Sequence, residues 1–102
     1  LAKVANSNAQ GLWISSRTAS TTLSLYKNGN TTAIATDATA SSGMVNFGMA
    51  IFADSTAAAA YERYSNDQLS AAFIGGGLSS AEMALVAARI NTYMTTMGIN
   101  VY

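Results

Sequence analysis

The chain has 102 residues, with five Lys/Arg against five Asp/Glu, and it contains neither His nor Cys. A chain of this length forms one domain rather than two. The missing residue types exclude His-based acid–base catalysis, a Ser-His-Asp triad, a zinc site and a disulfide framework. The balanced charge provides no basic surface for nucleic acid, and no apolar run approaches the roughly 20 residues of a membrane helix.

A β-hairpin is predicted in the first third of the chain. Strands are expected over 11–17 and 22–27, where aromatic and aliphatic residues are interleaved with Ser and Thr. Asn28 and Gly29 both tolerate positive φ, which a type I′ turn requires. The return strand is expected over 31–36.

Two further strands are predicted in the middle of the chain. Residues 37–43 are rich in Ala, Ser and Thr and indicate a loop. A strand with one apolar face is expected over 44–53, followed by a long loop over 54–68. The last strand is expected over 69–74, and Gly75–Gly77 is expected to end it in a tight connection to a helix.

One amphipathic helix is predicted over 79–98. Ser79 and Glu82 have the spacing of a capping box, and Gly98 fits the left-handed position after a helix end. Apolar residues recur between them at steps of three and four, which predicts one buried stripe. The stripe residues are Met83, Val86, Ala87, Ile90, Tyr93, Met94 and Met97.

Together these elements predict a mainly β fold: an antiparallel β-sandwich with one C-terminal amphipathic helix. We expect 1–102 to be a single domain or a domain fragment, with strands and turns in 1–78 and the helix in 79–98. About five strands do not comfortably close two layers, and open edges invite pairing. The remaining strands are therefore expected from a neighbouring subunit, a partner segment or another part of the same protein.

No catalytic or metal-binding residues are predicted. Asp54, Glu62 and Asp67 lie near one predicted loop, where a role in loop solubility is favoured over a glycosidase-like carboxylate pair. A calcium site at Asp54 and Asp67 lacks the spacing of an acidic calcium loop. Gly75–Gly77 lacks the Lys-Ser/Thr of a phosphate-binding loop. We expect no enzyme activity and no cofactor.

Four residues are candidates for binding carbohydrate: Trp13, Arg17, Tyr61 and Tyr64. Aromatic rings stack on the apolar face of a sugar, and Arg donates hydrogen bonds to sugar hydroxyls. Core packing is the competing interpretation for Trp13 and is favoured by the usual burial of Trp. Tyr61 and Tyr64 occur in a polar segment, which favours exposure.

Four segments carry a resemblance to a known family when taken in order. They are 8–18 (NAQGLWISSRT), 23–29 (LSLYKNG), 64–82 (YSNDQLSAAFIGGGLSSAE) and 93–98 (YMTTMG). This succession resembles the C-terminal half of concanavalin A-like (LamG-like) jelly-roll domains of phage virion and tail proteins and related bacterial surface proteins. The segment FIGGG differs from the family pattern by one residue in spacing or composition, and the strands that the family has upstream are missing.

The resemblance implies a concanavalin A-like jelly roll, incomplete in this chain, in a non-enzymatic virion structural or adhesion module. Such a module would be a phage fibre, spike or decoration component that binds host-surface glycans, located on a virion or an extracellular cell surface. Its partners would be other virion or surface subunits, as a homo-oligomer or with a segment supplying missing strands, and neither nucleic acid nor membrane. The alternatives are the C-terminal fragment of a concanavalin-like glycoside-active enzyme and a self-assembling extracellular filament subunit.

Overall fold

A computed structural model describes residues 2–43, 49–57, 60–66 and 68–99. In these residues the chain forms the following elements: β1 (Trp13–Ala19), β2 (Thr22–Lys27), β3 (Ala35–Asp37), β4 (Asp54–Ala57), β5 (Ala60–Glu62) and α1 (Ser80–Thr96). They belong to two compact units, unit 1 (Leu1–Ser41 with Gly76–Tyr102) and unit 2 (Ser42–Gly75). Both sheets are antiparallel, which confirms the mainly β fold with a C-terminal helix.

Unit 1 contains a three-stranded sheet in the order β1-β2-β3. The predicted strand over 22–27 is confirmed at both ends. The predicted strand over 11–17 is displaced by two residues, because Gly11 has φ 123 and the chain becomes extended only at Trp13. A side chain at position 11 would also overlap the Asn28 amide.

The turn after β2 has the predicted type I′ conformation. Asn28 and Gly29 have φ values of 54° and 73°, and the Asn30 backbone N–H donates to the Lys27 carbonyl at 3.2 Å. The Leu12 backbone N–H donates to Asn28 Oδ1 at 2.9 Å. This bond connects the turn to the chain entering β1.

The return strand is shorter than predicted and begins four residues later, at Ala35 rather than at position 31. Asn30 Oδ1 accepts a hydrogen bond from the Thr32 backbone N–H at 3.0 Å, which forms a second turn directly after the first. Ile34 then donates to the Leu25 carbonyl at 2.8 Å, one residue before the regular pairing of Leu25 with Ala35. The consecutive turns therefore delay the strand and change its register.

The capping box at the start of α1 is confirmed. Glu82 Oε2 accepts from the Ser79 backbone N–H at 2.9 Å, and Ser79 Oγ accepts from the Glu82 backbone N–H at 3.4 Å. The Ser79 hydroxyl also donates to Glu82 Oε2 at 2.7 Å. These bonds use polar groups that the first turn of a helix otherwise leaves without partners.

The capping box makes helix stability depend on pH. Hydrogen bonds from the Ser79 hydroxyl and then from its backbone N–H hold the pKa of Glu82 below its ordinary value of 4.5. Because the folded pKa is the lower one, this stabilisation is complete above the unfolded value and is lost as pH falls through the folded value. Circular-dichroism melts should show a difference between the parent and Glu82→Gln that shrinks as pH falls below about 4.5. A difference that does not change with pH would contradict this.

The end of α1 is a complete Schellman motif at the predicted glycine. Gly98 has φ 75, and its N–H donates to the Thr95 carbonyl at 3.0 Å. The Ile99 N–H donates to the Met94 carbonyl at 2.9 Å, closing the wider ring of the motif. In the described part of the chain, no helix is long and apolar enough to cross a membrane.

The predicted apolar stripe of α1 is too wide. The structure buries Met83 and Ala87 and half-buries Ile90 and Met94. A methyl group at Gly29 would lie 2.7 Å from the Ala87 side chain, so the β-turn contacts this face of the helix. The other predicted stripe residues are exposed because they lie to one side of that contact; they are Val86, Tyr93 and Met97.

The segment before α1 lies against β1. Ser16 Oγ donates to the Leu78 carbonyl at 2.6 Å and accepts from the Leu78 N–H at 2.8 Å. A side chain at Gly77 would overlap the backbone carbonyl of Arg17. The glycine therefore permits a close backbone approach, which fixes the start of the helix beside the sheet.

In unit 2 the predicted strand over 44–53 is wrong where it can be examined. Residues 44–48 lie outside the described residues, and 49–53 do not form a strand. Phe52 has φ 64, which is outside the β region, and Met49 and Ile51 are exposed. Alternating hydrophobicity does not suffice without a neighbouring strand to complete the ladder, and none pairs with 49–53 among the described residues.

The predicted loop over 54–68 instead contains the hairpin of β4 and β5. Asp54 is paired with Glu62, and the Arg63 guanidinium lies 3.3 Å from the Asp54 carboxylate. Just outside the paired strands, the Ser65 backbone N–H donates to the Phe52 carbonyl at 2.8 Å. The ion pair offsets the repulsion between two carboxylates that face each other across the strands.

The predicted strand over 69–74 is also wrong. The described residues of this segment have no strand conformation and no pairing partner. Leu69, Phe73 and Ile74 are exposed. These apolar side chains therefore neither lie on the buried face of a sheet nor pack in the core.

Candidate functional site

Trp13 begins β1, directly opposite Lys27 on β2. Cross-strand partners share a sheet face, and the Lys27 ammonium lies 4.6 Å from the centre of the Trp13 ring. The Trp13 Nε1–H donates to the Ala9 carbonyl at 2.9 Å, and the indole is half-buried. A ligand that stacks on Trp13 must therefore displace Lys27 or use the opposite side of the ring.

Arg17 lies on the same face of β1 as Trp13, four residues further along and about 13 Å away at 3.3 Å per residue. Its guanidinium donates to the carbonyls of Ser20 and Thr39, the latter at 3.2 Å. Lys27 similarly donates to the Asn8 carbonyl at 2.7 Å. We call this surface the aromatic–cationic face; it comprises Trp13, Ser15, Arg17, Leu23, Leu25 and Lys27.

Tyr61 and Tyr64 form a second pair of candidates, located in unit 2. Both side chains are exposed, and the Tyr64 hydroxyl donates to the Tyr61 carbonyl at 2.8 Å. The four predicted carbohydrate-binding residues thus form two separate pairs, one in each unit. The hydrogen bond holds Tyr64 over the end of β5.

The candidate acids are brought together only in part. Asp54 and Glu62 are directly opposed on β4 and β5, and Asp54 is ion-paired with Arg63. Asp67 lies outside the described residues. Among the residues that the structure describes, no group of three or more His, Cys, Asp and Glu side chains could hold a metal ion.

Unit 1 also contains a groove that no sequence pattern predicted, and every residue that lines it except Leu78 carries a hydroxyl group. Its volume is about 250 Å³. We call it the hydroxyl groove; it is lined by Ser16, Thr18, Thr22, Ser24, Tyr26, Leu78, Ser79 and Ser80. The alternation in 22–27 does place Thr22, Ser24 and Tyr26 on one side. That the helix start lies beside them could not be foreseen from the pattern.

The chain matches no protein-family model, no curated protein and no solved structure.

Proposed function

We propose that the chain is part of a non-enzymatic structural and adhesion module with a concanavalin A-like jelly-roll fold, on a virion or an extracellular surface. The family resemblance of the sequence supports the fold and the setting. The observation that carries the adhesive role is the aromatic–cationic face, where Lys27 lies over the Trp13 ring and Arg17 lies further along the same strand face.

This face has the chemistry that recognises glycans. An indole ring packs against the C–H groups of a sugar, and cationic side chains donate charge-assisted hydrogen bonds to its oxygens. Lys27 and Arg17 are already oriented by bonds to backbone carbonyls. A sugar that stacks on the side of the Trp13 ring opposite Lys27 leaves these bonds in place. It therefore meets groups whose freedom is already restricted, which lowers the entropic cost of binding.

The structural role is supported by large apolar side chains that remain in contact with water. On α1 they are Leu85, Val86, Tyr93 and Met97, and in unit 2 they include Met49, Ile51, Phe73 and Ile74. Exposed apolar groups of this kind are typical of surfaces that contact other chains. They fit a module whose missing strands come from another subunit or segment.

The adhesive role can be tested through the single tryptophan of the chain, since its fluorescence reports on Trp13 alone. We expect glycans identified on an array to change this fluorescence in a saturable titration. Arg17→Ala should weaken that binding by about tenfold or more, because a charge-assisted hydrogen bond is lost. Arg89→Ala removes the same charge from an exposed helix position and should leave binding unchanged.

The outcome that contradicts adhesion is equally specific. If no glycan binds while the protein is still incorporated into its particle, the module serves assembly alone. A self-assembling filament subunit is the second candidate, favoured because β3 pairs on one side only within the described structure. Electron microscopy of the purified chain would reveal such filaments.

A further inference from the structure

The hydroxyl groove lies on the polar face of the unit 1 sheet, beside the start of α1. An antiparallel sheet can turn one face to water, and the residues at alternate positions on that face are then polar. Here the face of β1 and β2 beside the start of α1 carries Ser16, Thr18, Thr22 and Ser24. This face therefore presents hydrogen-bonding groups, two of them on the exposed residues Thr18 and Thr22, rather than an apolar core surface.

Two of the groove hydroxyls are already used by the fold. Ser16 makes both of its bonds to Leu78, and Ser79 makes its bonds to Glu82. The others make no side-chain hydrogen bond within the described part of the chain; they are Thr18, Thr22, Ser24, Tyr26 and Ser80. Their donor and acceptor capacity is therefore available to a ligand.

The chemistry of the lining selects an uncharged ligand. Each hydroxyl both donates and accepts, as do the hydroxyls of a sugar. None of the lining side chains carries a charge at neutral pH, so a charged ligand would be desolvated without a counter-charge. The Glu82 carboxylate already occupies the helix start and disfavours an anion there.

We propose that the hydroxyl groove binds a neutral saccharide, as a binding site separate from the aromatic–cationic face. The inference rests on the proposed adhesive function and assigns it a second site. The floor of the site is formed by two strands, and the helix start is only one wall. A volume of about 250 Å³ lies just below the usual range for ligand pockets, which fits one sugar ring rather than a chain.

The test uses variants that remove one groove hydroxyl while retaining shape. Thr22→Val is nearly isosteric, and Ser24→Ala removes the neighbouring hydroxyl on the same strand. We expect each to weaken the binding of neutral hexoses and N-acetylhexosamines by about three- to tenfold, in ligand-observed NMR titrations. Thr95→Val is the matched control, because it is the same substitution at an exposed position of α1. We expect it to bind neutral sugars as tightly as the parent.

Three results would overturn the groove without contradicting the adhesive function. Neutral sugars could bind Thr22→Val and Ser24→Ala as tightly as the parent, or acidic sugars of the same ring size could bind the groove equally well. Binding could also change Trp13 fluorescence and respond to Arg17→Ala alone, which would retain the adhesive function and reject this site. If no saccharide binds anywhere, adhesion itself fails, and the groove fails with it.

Discussion

Met83→Ala is expected to destabilise unit 1 by about 2–5 kcal/mol, the usual cost of truncating a fully buried Met. Met83 is completely inaccessible to water. Ala87, which is 3% exposed, is the other buried apolar side chain among the described residues. The core therefore has few residues that could move to fill the resulting cavity. In a domain of about this size, each kcal/mol lowers the melting temperature by roughly 4–8 °C.

Leu85→Ala is the matched control for this change. Leu85 lies two residues away on the same helix, is 65% exposed, and loses a side chain of similar size. Both substitutions introduce the residue with the highest helix propensity, so propensity cancels between them. We expect Leu85→Ala to melt close to the parent. Equal melting temperatures for Met83→Ala and Leu85→Ala would show that α1 does not use this face for packing.

Features determined by neighbouring residues could be predicted from the sequence. The Asn28–Gly29 turn and the Ser79–Glu82 box depend on atoms within four positions, and their residue types leave few alternatives. The end of α1 at Gly98 is local in the same way. The helix bounds therefore agree with the prediction to within two residues.

Features determined by distant partners could not be predicted. The apolar pattern in 69–74 indicates a strand, but a strand forms only where another supplies its hydrogen bonds. Conversely, the segment after Asp54 has no periodic apolar face, yet it pairs into a hairpin, and Arg63 forms an exposed ion pair with Asp54 beside it. Within α1, the spacing of apolar residues predicts an apolar side of the helix. It does not predict which of these residues contact the turn at Gly29.

The candidate sites also combine local features, which could be predicted, with features that depend on distant residues, which could not. Trp13, Arg17, Tyr61 and Tyr64 were predicted by residue type, and whether they bind carbohydrate stays a prediction. The placement of Lys27 over Trp13 follows from strand register, which the turn alone did not determine. The hydroxyl groove depends on the contact of Ser16 with Leu78, residues 62 positions apart.

The contact between Ser16 and Leu78 leads to the second prediction of a large effect on stability. Ser16 is 5% exposed, and its hydroxyl satisfies both the N–H and the C=O of Leu78. Ser16→Ala leaves two partly buried backbone groups without partners, at a cost of about 1–3 kcal/mol for each group that stays dry. We expect a thermal melt to shift downward by roughly 4 °C or more. Ser15→Ala, at the exposed neighbouring position, makes the same chemical change and should melt like the parent.

The same substitution connects stability with the proposed saccharide site. Ser16 holds Leu78 against β1, and residues 78–80 form the wall of the hydroxyl groove. If the wall is released, Thr22 and Ser24 remain on the strand, but the space that they face is no longer enclosed. Ser16→Ala should therefore weaken neutral saccharide binding at a temperature where the variant is still folded, whereas Thr95→Val, at an exposed position of α1, should not. Unchanged binding by a destabilised Ser16→Ala variant would show that the strands alone form the site.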